Sequence, residues 1–169
     1  MKILTLSIFL ILASVATQLR AEDYDTPKLE KKVWKDSKSD LIIATAIGPK
    51  RASSEKEIKE VAAGFISSQL KDTSLITPDT CGSIEIKKLP AIYARFTVKN
   101  NGKVKKKLCI LALSETATYA IIAIGSEIPT FETIGTHVEM TGTPLASSRA
   151  PLDVIAKATD SFFEDVRRK

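Results

Sequence analysis

The chain has 169 residues, with 25 basic and 20 acidic side chains, a net charge of +5 and a single histidine. This mild excess of positive charge suits a soluble protein, and aromatic residues make up only 6% of the chain. A nucleic-acid binder would show a dense basic stripe with stacking aromatics, so we expect no nucleic-acid partner.

Residues 1–21 have the features of a secretory signal peptide. Lys2 supplies a positive start, and 3–15 form an almost unbroken apolar run, too short for a membrane span of about 20 residues. The sequence offers two alternative cleavage positions, after Ala16 and after Ala21. Removing 21 of the 169 residues leaves 148, with 23 basic and 20 acidic side chains and a net charge of +3. We therefore predict a secreted or periplasmic protein with one globular α+β domain over 22–169.

Two strands are predicted before the first helix. A charged arm leads into a strand near 29–35, where Val33 and Trp34 are the strong apolar residues. The apolar run 41–47 indicates a buried strand, which the turn residues Gly48-Pro49 end.

The first helix is predicted over 53–71. Ser54 and Glu57 have the S-x-x-E spacing of a capping box, in which each residue satisfies a backbone N–H of the other. Apolar residues follow at helical spacing. Gly64, in the middle of the helix, suggests close packing against a sheet.

An antiparallel meander is predicted to follow, with strands over 84–86, 92–98, 108–113 and 118–124. The strand 108–113 is apolar on both faces, so each face of the sheet needs a cover. We expect the first helix on one face and a C-terminal helix beginning near Pro151 on the other. This is an α-β-α sandwich.

Asn100-Asn101-Gly102 marks the central hairpin of this meander. A three-residue loop would pair Val98 with Val104, whereas a two-residue loop would place Phe96 opposite Lys107. Because a slip of one residue moves every side chain to the other face, we favour the three-residue loop.

The two cysteines, Cys81 and Cys109, lie 28 positions apart. In an oxidising compartment such a pair predicts a disulfide, which would contribute about 3–4 kcal/mol by the chain-entropy model. A zinc site is the rival interpretation, but two cysteines and one histidine make a poor ligand set.

The long segment 126–150 contains the histidine. His137 lies beside Glu139 and near Glu132 in the sequence, which would allow a small acid–base or metal site. A short edge strand over 136–141 would equally place His137 and Glu139 on one polar face. No nucleophile elbow and no phosphate-binding glycine motif is present, so we assign no catalytic, cofactor-binding or metal-ligating residue.

Lysines are concentrated just after the turn of the predicted hairpin, at Lys103, Lys105, Lys106 and Lys107. Their charges could contact an acidic partner, an anionic lipid surface or a polyanion. Alternatively, they form a solvated hairpin that blocks edge-to-edge association. We take these four lysines, with His137 and Glu139, as the candidate partner-binding residues.

The order of elements resembles the PsbP/DcrB-like α-β-α sandwiches, a group of mostly exported or lumenal proteins. The resemblance covers roughly residues 29–166 and rests on a strand pair, a capped helix, the meander 84–124 and a closing helix that ends in Ser161-Phe162-Phe163. The long segment 126–150 departs from the simplest version of that fold. The resemblance implies functional diversity, often without catalysis, and no site residue is carried over from it. A cystatin- or NTF2-like fold is the alternative.

The leading prediction is a non-catalytic binding or accessory protein outside the cytoplasm, with an inhibitor or immunity-type protein as one form. Its expected partner is another protein in that compartment, and no cofactor is expected. Peripheral membrane contact is kept as an alternative, although no sequence feature supports it. The alternative is a small exported hydrolase or metal-dependent enzyme that uses His137 with nearby carboxylates.

Overall fold

The computed structural model describes residues 30–49, 54–71, 76–100, 103–145 and 149–167. The predicted signal peptide lies outside the described residues and stays a prediction. Within them, no helix is both long enough and apolar enough to cross a membrane.

The described residues form a six-stranded antiparallel sheet with three helices, which confirms the predicted α+β class. The strands lie in the order β1-β2-β6-β5-β4-β3 across the sheet, so β1 and β3 are its edges. The elements, in chain order, are β1 Glu30–Lys35, β2 Ile42–Pro49, α1 Glu55–Lys71, β3 Ile76–Ile86, β4 Leu89–Asn100, β5 Lys103–Leu113, β6 Ala117–Gly125, α2 Phe131–His137 and α3 Arg149–Arg167.

The capping box that predicts α1 is present. Glu57 N donates to Ser54 Oγ at 3.3 Å, and Ser54 N donates to Glu57 Oε2 at 3.0 Å. The helix buries Ile58 and Phe65 against the sheet. Gly64 does not pack closely, because a Cβ built at this position would meet nothing within 4 Å. The expectation of a close approach at Gly64 is therefore wrong.

The two long helices lie on the same face of the sheet, so the expectation that they cover opposite faces is wrong. Apolar residues of α1 and α3 join one core cluster with Phe96 and Leu111, on what we call the first face. The opposite, second face is covered by residues 126–141, which bury Ile134, Val138 and Met140, whereas Leu145 joins the cluster on the first face. Because this segment covers the second face itself, α3 packs beside α1.

The segment 126–141 also corrects the predicted edge strand at 136–141. Its first part is the short helix α2, which Thr130 caps by accepting a hydrogen bond from Thr133 N at 3.2 Å. The chain after α2 is anchored by Tyr119, whose hydroxyl donates to Thr141 O at 2.7 Å and accepts from Thr141 N at 3.1 Å. These contacts hold the segment on the second face.

The register of the central hairpin differs from the favoured one. Asn100 pairs with Lys103, so the loop has two residues, and Phe96 lies opposite Lys107. Both faces of the sheet are buried here, and the apolar pattern alone therefore does not choose between the two registers. The observed register places Cys109 with Phe96 on the first face and Leu108 on the second.

The same register shows why the predicted disulfide is wrong. Cys81 of β3 and Cys109 of β5 both pair with Ala94 of β4, from its two sides. Two strand spacings separate their Cα atoms by about 10 Å, beyond the roughly 7 Å that a disulfide can bridge. The two sulfurs are accordingly not bonded to each other. The Cys81 thiol instead donates to Ala156 O of α3 at 3.3 Å.

Candidate binding surface at the hairpin end of the sheet

The four lysines that the sequence groups together are separated by the strand alternation. Lys103 and Lys106 are exposed. The Lys105 side chain is 18% exposed, and its Nζ lies 3.1 Å from Asp40 Oδ2. Lys107 lies on the first face opposite Phe96 and is only 5% exposed. Two of the four lysines are therefore free to form the solvent-facing cluster that the sequence predicts.

The ion pair of Lys105 is part of a junction around Asp40. The Asp40 carboxylate also accepts hydrogen bonds from Ser126 N at 2.8 Å and Ser126 Oγ at 2.9 Å. These hydrogen bonds and the Lys105 charge lower the pKa of Asp40 to about 2. The junction joins the β1–β2 turn to β5 and to the start of the segment after β6.

His137 and Glu139 serve a different contact from the one the sequence suggests. The His137 ring stacks on Trp34 of β1, with ring centroids 3.9 Å apart. Glu139 Oε2 lies 2.5 Å from Lys32 Nζ, and this hydrogen bond lowers the pKa of Glu139 and raises that of Lys32. Together these contacts attach the edge strand β1 to the end of α2 and to the residues that follow it.

Within the part of the chain that the structure describes, no third metal-ligating side chain joins His137 and Glu139. Glu132 lies exposed on α2, beside a groove formed with the β3–β4 turn. Among the described residues, no group of three His, Cys, Asp or Glu side chains could hold a metal ion. The attachment of β1 accounts for His137 and Glu139, and the enzyme alternative gains no support from this geometry.

A cluster that sequence analysis missed lies on the second face around Arg95. The Arg95 guanidinium carbon lies 4.9 Å from the centroid of the Phe131 ring and 5.9 Å from that of Tyr93. The two rings contact each other at 4.8 Å with an interplanar angle of 60°. Cation–π attraction of this kind holds the guanidinium in place. Arg95 Nε is nevertheless buried and has no hydrogen-bond partner among the described residues.

Arg95 lines a cavity of about 400 Å³ at the hairpin end of the sheet. Lys106 contributes a second cation to its wall, and Asp79 and Glu127 contribute carboxylates. Lys107 also borders the cavity, but its side chain lies on the opposite, first face. Asp79 accepts hydrogen bonds from Thr97 Oγ1 at 3.1 and 3.2 Å. The remaining lining residues are Thr80, Phe96 and Ile128.

The tip of the β4–β5 hairpin extends past its neighbour. Pairing between β5 and β6 begins at Lys106 with Gly125, so residues 103–105 of β5 continue without β6 beside them. Val104 is 62% exposed and lies opposite the exposed Lys99. We call Lys99, Lys103 and Val104 the hairpin-tip surface.

The alternation along β4 and β5 was the available sequence signal for this arrangement. Residues directly opposite each other in an antiparallel pair share a face. With the two-residue loop, Arg95, Lys99 and Lys106 all lie on the second face. The three-residue loop hides this grouping, and Phe131 reaches the cluster only through the fold of the segment after β6.

Comparisons with known proteins leave the family open, because no family model and no curated protein matches this chain. Two solved structures share a limited likeness. One is PA94 from Pseudomonas aeruginosa, described as a protein of unknown function and putative regulator; it has a TM-score of 0.45 and 8% identity, over 59% of this chain and 71% of that one. The other is LpqN of Mycobacterium tuberculosis, described as involved in cell envelope biogenesis; it has a TM-score of 0.39 and 12% identity, over 78% of this chain and 79% of that one. At these scores neither likeness identifies a function.

Proposed function

We propose that this chain is a non-catalytic binding protein of a secreted or periplasmic compartment, and that it holds an acidic protein partner at the hairpin-tip surface. The observation that carries the proposal is the exposed Val104 beside the exposed Lys99 and Lys103, on a hairpin that extends past β6. An apolar centre with a charged rim is the usual anatomy of a protein interface.

Charge supports the choice of an acidic partner. From Lys99 to Lys107 the chain carries five lysines and no acidic residue. Lys105 pairs with Asp40, whereas Lys99, Lys103 and Lys106 make no ion pair within the described ranges. Such exposed charges guide association with a surface of opposite sign, and salt screens them beyond about 8 Å at physiological ionic strength.

The compartment is proposed from the predicted signal peptide. Binding rather than catalysis is supported by the contacts of His137 and Glu139, which attach β1 and leave no assembled acid–base group there. The resemblance to the PsbP/DcrB-like sandwiches is compatible with this function and stays a prediction.

The test uses the secreted protein as bait in the extracytoplasmic fraction of its own source, with the captured proteins identified by mass spectrometry. The hairpin-tip variant K99Q/K103Q should lose a protein that the unmodified bait captures, and raising the salt concentration should have the same effect. The matched control is K31Q/K35Q, which removes two exposed lysines from the edge strand β1, which β2 and β6 separate from β5. Equal capture by K99Q/K103Q and the unmodified bait, or equal loss in both variants, contradicts the proposal.

A further inference from the structure

We propose that the cavity beside Arg95 binds a small organic anion, a molecule with a carboxylate or phosphate group, at a site separate from the one that holds the protein partner. The site would be formed by Arg95 and Lys106, which share the second face of the sheet. Binding of a protein partner at the hairpin-tip surface does not require this anion site.

The first argument is the state of Arg95. No carboxylate among the described residues forms an ion pair with its guanidinium, and its Nε is buried without a hydrogen-bond partner. The Tyr93 and Phe131 rings stabilise the positive charge without neutralising it. Burying a polar donor without a partner is costly to the fold. A cost of this kind is expected where a side chain serves a ligand.

The second argument is the convergence of cations. Lys106 lies opposite Thr97, two residues from Arg95 on β4, so both cationic side chains lie on the second face. Lys106 makes no ion pair in the described part of the chain. Two positive charges beside one cavity of about 400 Å³ favour an oxyanion of small-molecule size.

The chemistry of the wall defines the ligand class further. A planar guanidinium held against a pair of aromatic rings is suited to bind a carboxylate or a phosphate through two parallel hydrogen bonds. Asp79 and Glu127 lie on the same wall and would accept hydrogen bonds from hydroxyl or ammonium groups of the ligand. The fitting class is therefore a small acid or phosphorylated molecule that also carries hydrogen-bond donors.

The test is a titration followed by NMR, with the Arg95 Nε–Hε resonance and the backbone amides of Thr97 and Lys106 as reporters. The probes are succinate, inorganic phosphate and phosphoserine at constant ionic strength, with ethanolamine as a cationic control. We expect saturable shifts with at least one anion, with a Kd of about 1 mM or tighter, and none with ethanolamine. Saturable shifts with succinate indicate a carboxylate ligand, and saturable shifts with inorganic phosphate indicate a phosphate ligand.

Variants separate this site from the hairpin-tip surface. Arg95→Met keeps an apolar stem against the two rings, and it should weaken anion binding at least tenfold while the protein stays folded by far-UV circular dichroism. Lys106→Gln tests the same site should the first variant unfold. K99Q/K103Q should leave the anion titration unchanged. The outcome of the partner-capture experiment therefore does not affect the test of the anion site. No saturable shift with any anion, or equal weakening in K99Q/K103Q and Lys106→Gln, would overturn the proposal.

Discussion

Replacing Asp40 with asparagine tests whether one charge at the hairpin end holds three parts of the chain together. The carboxylate contacts Lys105 Nζ at 3.1 Å and accepts two hydrogen bonds from Ser126. Asparagine keeps an oxygen that can accept the bond from Ser126 N, so the substitution removes mainly the charge. The expected result is a modest loss of stability near neutral pH.

The magnitude follows from the pKa of Asp40, which the fold lowers from 3.8 to about 2. A shift of this size corresponds to about 2 kcal/mol at 1.36 kcal/mol per unit. The side chain is 40% exposed, and screening by water reduces the expected effect to about 1 kcal/mol. Because the folded pKa is the lower one, this stabilisation is present above about pH 4 and is lost as the pH falls towards 2.

Urea unfolding at a series of pH values between 2 and 7 measures the effect. The difference in unfolding free energy between the unmodified protein and Asp40→Asn should be about 1 kcal/mol at pH 7 and should approach zero near pH 2. Glu132→Gln, which changes an exposed carboxylate of α2, is the control and should show little difference at any pH. A difference for Asp40→Asn that does not change with pH would refute the electrostatic reasoning.

Three further substitutions and one labelling experiment test local features of the fold. Gly64→Ala should raise the unfolding free energy by about 0.5–1 kcal/mol, since α1 has room for the Cβ; a loss in urea unfolding would contradict this. Lys88→Gly should stabilise by about 1 kcal/mol, because Lys88 has a φ of 65°. Lys87→Gly relieves a φ of 49° but also deletes the hydrogen bond of 2.7 Å that Lys87 Nζ donates to Val138 O, so its stabilisation should be smaller. An equal gain in unfolding free energy from Lys87→Gly and Lys88→Gly would contradict this reasoning. A thiol reagent should modify Cys81 in the native protein well before Cys109, which is fully buried with its pKa raised by desolvation to about 11; equal rates would be evidence against the structure.

The helix α1 shows what sequence can predict well. Its capping residues, Ser54 and Glu57, lie three positions apart, and each satisfies the other's backbone N–H. A signal of this kind is complete within one helical turn and needs no knowledge of the rest of the chain. The strand run from 84 to 124 was predictable for the same reason, because alternation and turn residues are local.

The candidate site could not be predicted in the same way. The Arg95 cluster needs Phe131 from the segment after β6 and Lys106 from the neighbouring strand. The cation grouping also depends on a hairpin loop of two residues rather than three, and a sheet buried on both faces gives no local preference for either. The exposure of each lysine follows from that register.

The sequence by itself determined the α+β class, the capped helix and the strands of the meander, because their signals act between residues close together in the chain. Only the tertiary structure decided which face each helix covers, and which side chains meet at the hairpin end. Residues 126–141 bury Ile134, Val138 and Met140 on the second face and so leave the first face to both long helices. That choice depends on competition between distant apolar segments for the same surface, and no local pattern encodes the outcome.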